Sequence, residues 1–279
     1  MLVYKSFPGG RAKALTMSYD DGRLADERLI SIFNQYGIKG TFNLNGSCVG
    51  LSDFVSKEEI KELYTGHEIA THAYHHPSLA RCPLTEVAAE ILDDRILLEE
   101  LSGRLVRGHA YPNCSFNQEI KTLLKSLGIT YARCGTCTQG FELPQDPLEW
   151  CPTCHHDAPN LMDITKRFLG LSGKHSLKLM YVYGHSYEFD LKNNWNVIEE
   201  FSALVGGRDD IWYATNGEII DYLEILDRLQ FTANCEKVFN PSAQSAWVTV
   251  DVAEAVEIPA GALVDLTSIV QNSKFKRLR

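Results

Sequence analysis

Lys13-Ala-Leu-Thr-Met-Ser-Tyr-Asp-Asp-Gly22 opens on an apolar run, Ala14 to Met17, and stops at two adjacent carboxylates and a glycine. The run reads as a buried parallel strand that delivers Asp20 and Asp21 to its C-terminal end, the edge where α/β folds carry their chemistry. Neighbouring carboxylates repel, so a site that keeps both ionised needs a cation close by. Successive side chains of a strand point to different sides, which leaves one Asp for a metal and the other for a substrate. Asp-Asp-Gly alone is more often a solvated turn. The second stretch that changes this is Gly66-His-Glu-Ile-Ala-Thr-His-Ala-Tyr-His-His76.

Outward from the first stretch, strand-like and helix-like segments alternate. Leu24–Tyr36 carries Leu29, Ile32 and Phe33 at helical spacing and stops at Gly37. Thr41–Asn45 reads as a strand, and Ser56 and Glu59 form a capping-box pattern for a helix ending near Gly66. His67–Thr71 follows as a strand, then a helix Glu86–Arg104 capped by Thr85. Leu105–Tyr111, Ile129–Arg133, Leu177–Tyr183 and Ile211–Ala214 are further strands, with helices at Asn117–Leu127, Trp195–Val205 and Glu218–Leu229. Such alternation predicts a parallel sheet, and about seven units suit a barrel better than an open sheet. Residues 135–160 break the rhythm with four prolines, and a loop of that length in a compact domain is usually functional.

From Thr232 the texture turns to short β segments. The expected organisation is a (β/α) barrel domain over residues 1–231 and a small C-terminal β-hairpin appendage over 232–279. The exposed β edge of the appendage offers a surface for homo-oligomerisation. The basic Lys274–Arg279 end reads as frayed.

The 279 residues carry a formal net charge of −9, which argues against nucleic acid and anionic membranes as partners, since both call for a basic face. There is no signal-peptide hydrophobic region and no run of about 18 apolar residues, so the expectation is a cytoplasmic protein without a membrane partner. Eight cysteines are then most simply free thiols.

His72 and His76 lie four apart just after a strand, a spacing that one helical turn brings to one face. With a carboxylate from another strand end they make an Asp-His-His set suited to zinc, and also to cobalt, nickel or ferrous iron. His67 and His75 compete for that role. Three protein ligands leave coordination positions open for water and substrate.

At this point the chain resembles the polysaccharide deacetylases of carbohydrate esterase family four, the NodB-like deacetylase domain. Ser18-Tyr-Asp-Asp-Gly22 is similar to their T-F-D-D-G motif and His72-Ala-Tyr-His-His76 to their H-[S/T]-x-x-H motif. Leu179-Met-Tyr-Val-Tyr-Gly-His185 resembles the apolar strand that ends in their late histidine. The resemblance covers roughly residues 12–229. It implies a distorted (β/α)7 barrel and a metal-dependent hydrolase that removes N- or O-linked acetyl groups from an acetylated mono- or oligosaccharide. It further implies Asp20 as the base, Asp21, His72 and His76 as ligands of one divalent metal, and His185 as general acid.

Several positions depart from the pattern. Ala73 lacks the hydroxyl of the second motif. The Arg-x-Pro-Tyr-Gly motif has no exact counterpart in Arg107-Gly-His-Ala-Tyr-Pro-Asn-Cys114. Arg107 is taken as the partner of Asp20, Asn113 as the oxyanion N–H, and Cys114 as the replacement for the usual Gly. Tyr111 falls in the same stretch and is a candidate substrate contact. No Asp that would brace His185 is recognisable; Glu188 is the stand-in or a substrate hydroxyl ligand, with Asp163 behind it. Trp150, His155 and His156 are expected to fold over the site mouth and touch substrate, Trp150 by stacking on a sugar, with core packing as its alternative.

Cys151-Pro-Thr-Cys154-His155 spells a haem-attachment pattern or part of a second zinc site, and both rank below the reading that this stretch folds over the site mouth; the Cys134–Cys137 pair reads as structural thiols. Two other functions stay open: hydrolysis of a small cyclic amide on the same barrel, and sugar binding without catalysis.

Overall fold

The computed structural model describes residues 2–251, 254–267 and 269; the Lys274–Arg279 segment lies outside them. The first elements are β1 (Val3–Ser6), β2 (Lys13–Asp20), α1 (Asp26–Tyr36), β3 (Gly40–Leu44), α2 (Ile60–Leu63), β4 (Glu68–Thr71), α3 (Leu84–Ser102), β5 (Gly108–Ala110), α4 (Gln118–Ser126) and β6 (Tyr131–Arg133). They continue through β7 (Cys154–His155), α5 (Leu161–Leu169), β8 (Lys178–His185), α6 (Glu188–Leu191), α7 (Asn196–Val205), β9 (Ile211–Tyr213) and α8 (Asn216–Arg228). Five short strands close the chain: β10 (Gln230–Phe231), β11 (Lys237–Phe239), β12 (Ala246–Val250), β13 (Glu254–Ile258) and β14 (Leu263–Asp265).

β2 is buried along its whole length, as a strand covered on both faces must be. One of its edges pairs with β8 from Lys13 to Asp20. The other edge is shared: β9 takes Lys13–Leu15 and β3 takes Met17–Asp20. The parallel sheet runs β6-β5-β4-β3-β2-β8-β7 and curls into a distorted (β/α)7 barrel. Its two ends are joined by the segment that sequence patterning reads as a loop. Trp150 N donates to Ala132 O at 3.0 Å and Trp150 O accepts from Cys134 N at 3.1 Å. Four residues on, Cys154 and His155 pair with Val182 and Tyr183 of β8.

Trp150 is therefore a core residue, correcting its assignment as a sugar platform. It is 2 % exposed, edge-on to Tyr131 and Tyr181 at 5.8 and 4.7 Å. The thiols of Cys134 and Cys151 meet beside it at 2.7 Å. Among the described residues no cysteine belongs to a group able to hold a metal, so the Cys151–His155 pattern forms no second zinc centre there.

Two helix starts differ from expectation. The Ser56–Glu59 bonds form, but only the one-turn α2 follows. The complete capping box sits instead at Thr215 and Glu218, at the head of α8. Helix α5 was not anticipated; it turns Leu161, Ile164 and Phe168 inward. Beyond the barrel, β12 pairs with β13 as an antiparallel hairpin, and the N-terminal β1 adds to its other edge. A second small sheet runs β10-β11-β14. Among the described residues no helix is long and apolar enough to cross a membrane.

Candidate active site

Register places the site. Asp20, the last residue of β2, is level with Asn43 of β3 on one side and His185 of β8 on the other. β4 ends at Thr71, level with Leu44, so His72 emerges beside Asp21. Arg133 ends β6 level with Ala110. All these side chains leave the sheet at the C-terminal edge of its strands.

The ligand atoms of Asp21, His72 and His76 lie within 4.8 Å of one another. His72 Nε2 is 3.8 Å from Asp21 Oδ1 and from Asp20 Oδ2, and His76 Nε2 is 4.0 Å from Asp21 Oδ1. The two imidazoles converge without a helical turn, contrary to the expectation from their spacing. Ala73 and His76 both take left-handed backbone angles, φ 59°, which fold the segment back on itself. Asn45 Nδ2 ties it down by donating to the carbonyls of His72 and Ala73 at 2.6 and 2.8 Å, support that compensates for the hydroxyl missing at Ala73. Asp94, fully buried, accepts from Gly46 N and His72 N at 2.7 and 2.9 Å.

This donor set fits a divalent metal. His72 Nδ1 lies 2.7 Å from Ala110 O, so its proton sits there and the Nε2 lone pair faces Asp21. Burial pushes the His72 pKa down against the pull of Asp20 and Asp21, which keeps the ring neutral as a ligand must be. The two competing histidines are engaged elsewhere. His75 is held by Glu90 at 2.7 Å, and His67 lies between Gly40 N and Asn34 Oδ1.

Arg107 does not hold Asp20. Its guanidinium makes a two-pronged pair with Asp221 at 3.1 and 2.7 Å on a half-exposed surface. The partner of Asp20 is Arg133, buried across the barrel mouth, whose Nη2 donates to Asp20 Oδ2. Arg133 also stacks on Tyr183 at 4.5 Å. Asn43 Nδ2 donates to the other Asp20 oxygen at 2.8 Å. Burial would raise the Asp20 pKa, but Arg133, His72, His185 and the Asn43 bond outweigh it and hold the group at about 2. The signal for Arg133 was present in the sequence, a charged residue closing the apolar strand Ile129–Arg133 at the catalytic edge.

His185 Nε2 lies 3.9 Å from Asp20 Oδ2, and its Nδ1 lies 3.4 Å from Glu188 Oε1. Burial lowers the His185 pKa, but Glu188, Asp20 and Asp21 raise it above the usual value overall. Glu188 gathers two more imidazoles, with His155 Nε2 at 3.4 Å and His156 Nε2 at 3.0 Å from Oε2. Asp157 N donates to His155 Nδ1 at 3.1 Å, which puts the proton of neutral His155 on Nε2, facing Glu188. The ligand atoms of His155, His185 and Glu188 also lie within 4.8 Å of one another, a second donor group in which the His155 proton faces the carboxylate. Glu188 remains ionised, because burial is outweighed by the bonds from His156 and His185.

The other candidates separate. His156 is buried between Tyr19 and Phe189, at 5.6 and 4.2 Å, and supports Glu188 from behind instead of meeting a substrate. Tyr111 is buried against Phe116 and spends its hydroxyl on Leu148 O at 2.8 Å. Asn113 is exposed on the turn after β5, at φ 53°, and Cys114 follows at φ 51°, the left-handed geometry that a glycine there would take freely. His155 is partly exposed beside His185. Asp163 is exposed on α5 and braces nothing. Five of the nine described non-glycine residues at positive φ are Asp21, Ala73, His76, Asn113 and Cys114, a clustering of backbone strain usual for functional sites.

With this geometry the known relatives can be compared. Residues 8–132 match the family described as polysaccharide deacetylase. The chain is 27 % identical over 118 residues to the peptidoglycan-N-acetylmuramic acid deacetylase PdaC of Bacillus subtilis, and 25 % over 118 residues to the uncharacterized protein YlxY of the same organism. Those matches take in 40 % and 42 % of this chain and 24 % and 36 % of the respective relatives, so the chain spans well under half of either protein.

Among solved structures, one described as a polysaccharide deacetylase from Mycobacterium smegmatis aligns at a TM-score of 0.62, with 18 % identity over 79 % of this chain and 93 % of that one. A mutant of BA3943, a CE4 family pseudoenzyme of Bacillus anthracis, with restored enzymatic activity, aligns at 0.52, with 16 % identity over 78 % and 70 %. A family 4 carbohydrate esterase from Streptomyces lividans, in complex with acetate, aligns at 0.50, with 13 % identity over 73 % and 93 %. At such identities these structures establish the fold. The match to the polysaccharide deacetylase family covers residues 8–132, and the barrel has the fold of the aligned deacetylase structures.

Proposed function

We propose that the protein hydrolyses N- or O-linked acetyl groups of a carbohydrate, with one divalent metal, zinc or else cobalt or nickel, held by Asp21, His72 and His76. The observation that carries this reading is the meeting of three groups at one barrel end: a metal-type donor set, a carboxylate held low in pKa beside it, and a histidine whose pKa is raised by Glu188, Asp20 and Asp21. A metal bound by the donor set supplies Lewis-acid polarisation and acidifies water.

Asp20 accepts the proton of the attacking water. Arg133 and Asn43 hold the Asp20 carboxylate in one orientation, so no reorganisation is needed when the proton arrives. His185 donates its Nε2 proton to the departing nitrogen or oxygen, with Glu188 fixing its other nitrogen and stabilising the charged ring. The turn at Asn113 offers a backbone N–H toward the developing oxyanion. Water adds to the acetyl carbon, the bond to the sugar nitrogen or oxygen breaks, and acetate and the free amine or hydroxyl leave.

A sugar-binding protein without activity is the second reading, favoured by the similarity in fold to a pseudoenzyme. The test is acetate release from a panel of acetylated sugars by metal-stripped protein, with Zn²⁺, Co²⁺ or Ni²⁺ added back. Metal-restored release that disappears in Asp20→Asn, with metal still bound, supports the reading. Sugar binding with no release under any metal overturns it.

A further inference from the structure

Arg23 stands in the turn that leaves β2, two residues after Asp21. Its guanidinium lies over the ring of Phe54 at 4.1 Å and over that of Tyr187 at 5.1 Å. The Tyr187 ring is itself 5.4 Å from His185, so one aromatic side chain touches both Arg23 and the proton-donating histidine. Among the described residues Arg23 has no carboxylate partner, whereas Arg28, Arg95, Arg107 and Arg133 each hold one. Its Nε is buried without a hydrogen-bond partner, and among the described residues no side-chain N–H of Arg23 finds a protein acceptor.

Stacking on two rings fixes the side chain while leaving its donors free, an arrangement pre-organised for an incoming planar anion. The surroundings require such a group only for an anion. At the mouth Asp20 is answered by Arg133 and Glu188 by its imidazoles, and Asp21 belongs to the metal set, which leaves Arg23 beside the site as a cation without a counter-charge in a chain that carries −9 overall. A neutral sugar needs no such residue.

We propose that Arg23 receives a carboxylate of the substrate, so that the preferred substrate is an acidic acetylated sugar of the uronic-acid kind. This rests on the deacetylase reading, so binding and turnover are measured separately.

Zinc-loaded protein is compared with Arg23→Gln on two sugars that differ only at C6: 2-acetamido-2-deoxyglucuronic acid and N-acetylglucosamine. N-acetylglucosamine 6-phosphate is the third probe. Calorimetry gives Kd, and acetate release gives kcat and KM.

The expected result is tighter binding of the uronic acid by the parent protein. In Arg23→Gln its Kd and KM rise about tenfold or more, the effect of losing one charge-assisted hydrogen bond, with kcat little changed. N-acetylglucosamine should stay within about twofold. Equal changes for both sugars, or no change for either, overturn the proposal and leave Arg23 as a clamp on the Phe54 loop, visible only as a lowered Tm. Stronger Arg23-dependent binding of the phosphate overturns the carboxylate assignment. Arg23-dependent binding of the uronic acid with no acetate released from any probe sustains the anion site and sinks the deacetylase reading instead.

Discussion

The Asp21, His72 and His76 side of the site is assembled from strand ends and strained turns, while the His185 side is assembled from imidazoles gathered around one carboxylate. On the first side Asp21, Ala73 and His76 take left-handed angles, and Asn45 and Asp94 hold the backbone. On the second, Glu188 receives His155, His156 and His185. The family match spans residues 8–132 and so takes in the metal side, whereas Arg133 and the whole Glu188 cluster lie beyond it. A metal tolerates little variation in its donors, but a histidine can be oriented by any well-placed acceptor. The difference teaches that the half carrying the donor set keeps all its members in readable motifs, whereas the other half shows only His185 that way and its supporting groups, Arg133, His155 and His156, come from packing.

The contrast can be broken most strongly at the metal side. Asp21→Ala or His72→Ala should abolish metal binding and acetate release together, measured by metal content and turnover. Asp20→Asn should leave metal content intact and lower kcat by about 10²–10⁴, the usual share of a general base; equal loss of metal and rate would merge the two Asp roles.

Arg133→Met leaves a buried carboxylate unpaired, and a stability loss of about 3–5 kcal/mol is expected by denaturant titration. Asp20 is held at about 2 when folded against a usual value of 3.8. Its contribution is therefore present above pH 3.8 and is lost as pH falls through about 2. With Arg133 gone, the acid limb of the rate profile should move to higher pH.

Glu188→Gln sharpens the second half. The carboxylate helps raise the His185 pKa, so its removal should shift the alkaline limb, where His185 must stay protonated, to lower pH, with a loss of about tenfold at neutral pH. An unmoved limb would end the bracing role. Arg107→Ala is the smallest change, since its half-exposed pair with Asp221 is worth at most about 1 kcal/mol, and kcat should not move.

The barrel was legible because β2 had to be an uninterrupted apolar run and because strands and helices alternate after it. Asp20, Asp21, His72 and His76 were legible because they close two strands at one barrel edge, and His185 through its resemblance to the late histidine motif of the deacetylases. Arg133 was not legible as the partner of Asp20, because nothing along the chain links the two and the side chain comes from four strands away in the sheet. Trp150 was misread because the segment closing the barrel has only two residues of regular strand and four prolines nearby. Nothing local marks that segment as a wall, and only its bonds to β6 and β8 do.

The pairing of β1 with β12 joins Val3 to Val250. On a ribosome β1 must wait for a partner made about 250 residues later, a loop whose closure from an open chain costs about 5 kcal/mol. The barrel offsets most of that by bringing the two ends near each other, so β1 docks last on a finished body. Until it does, β12 is an open edge, available to a second nascent chain as readily as to its own.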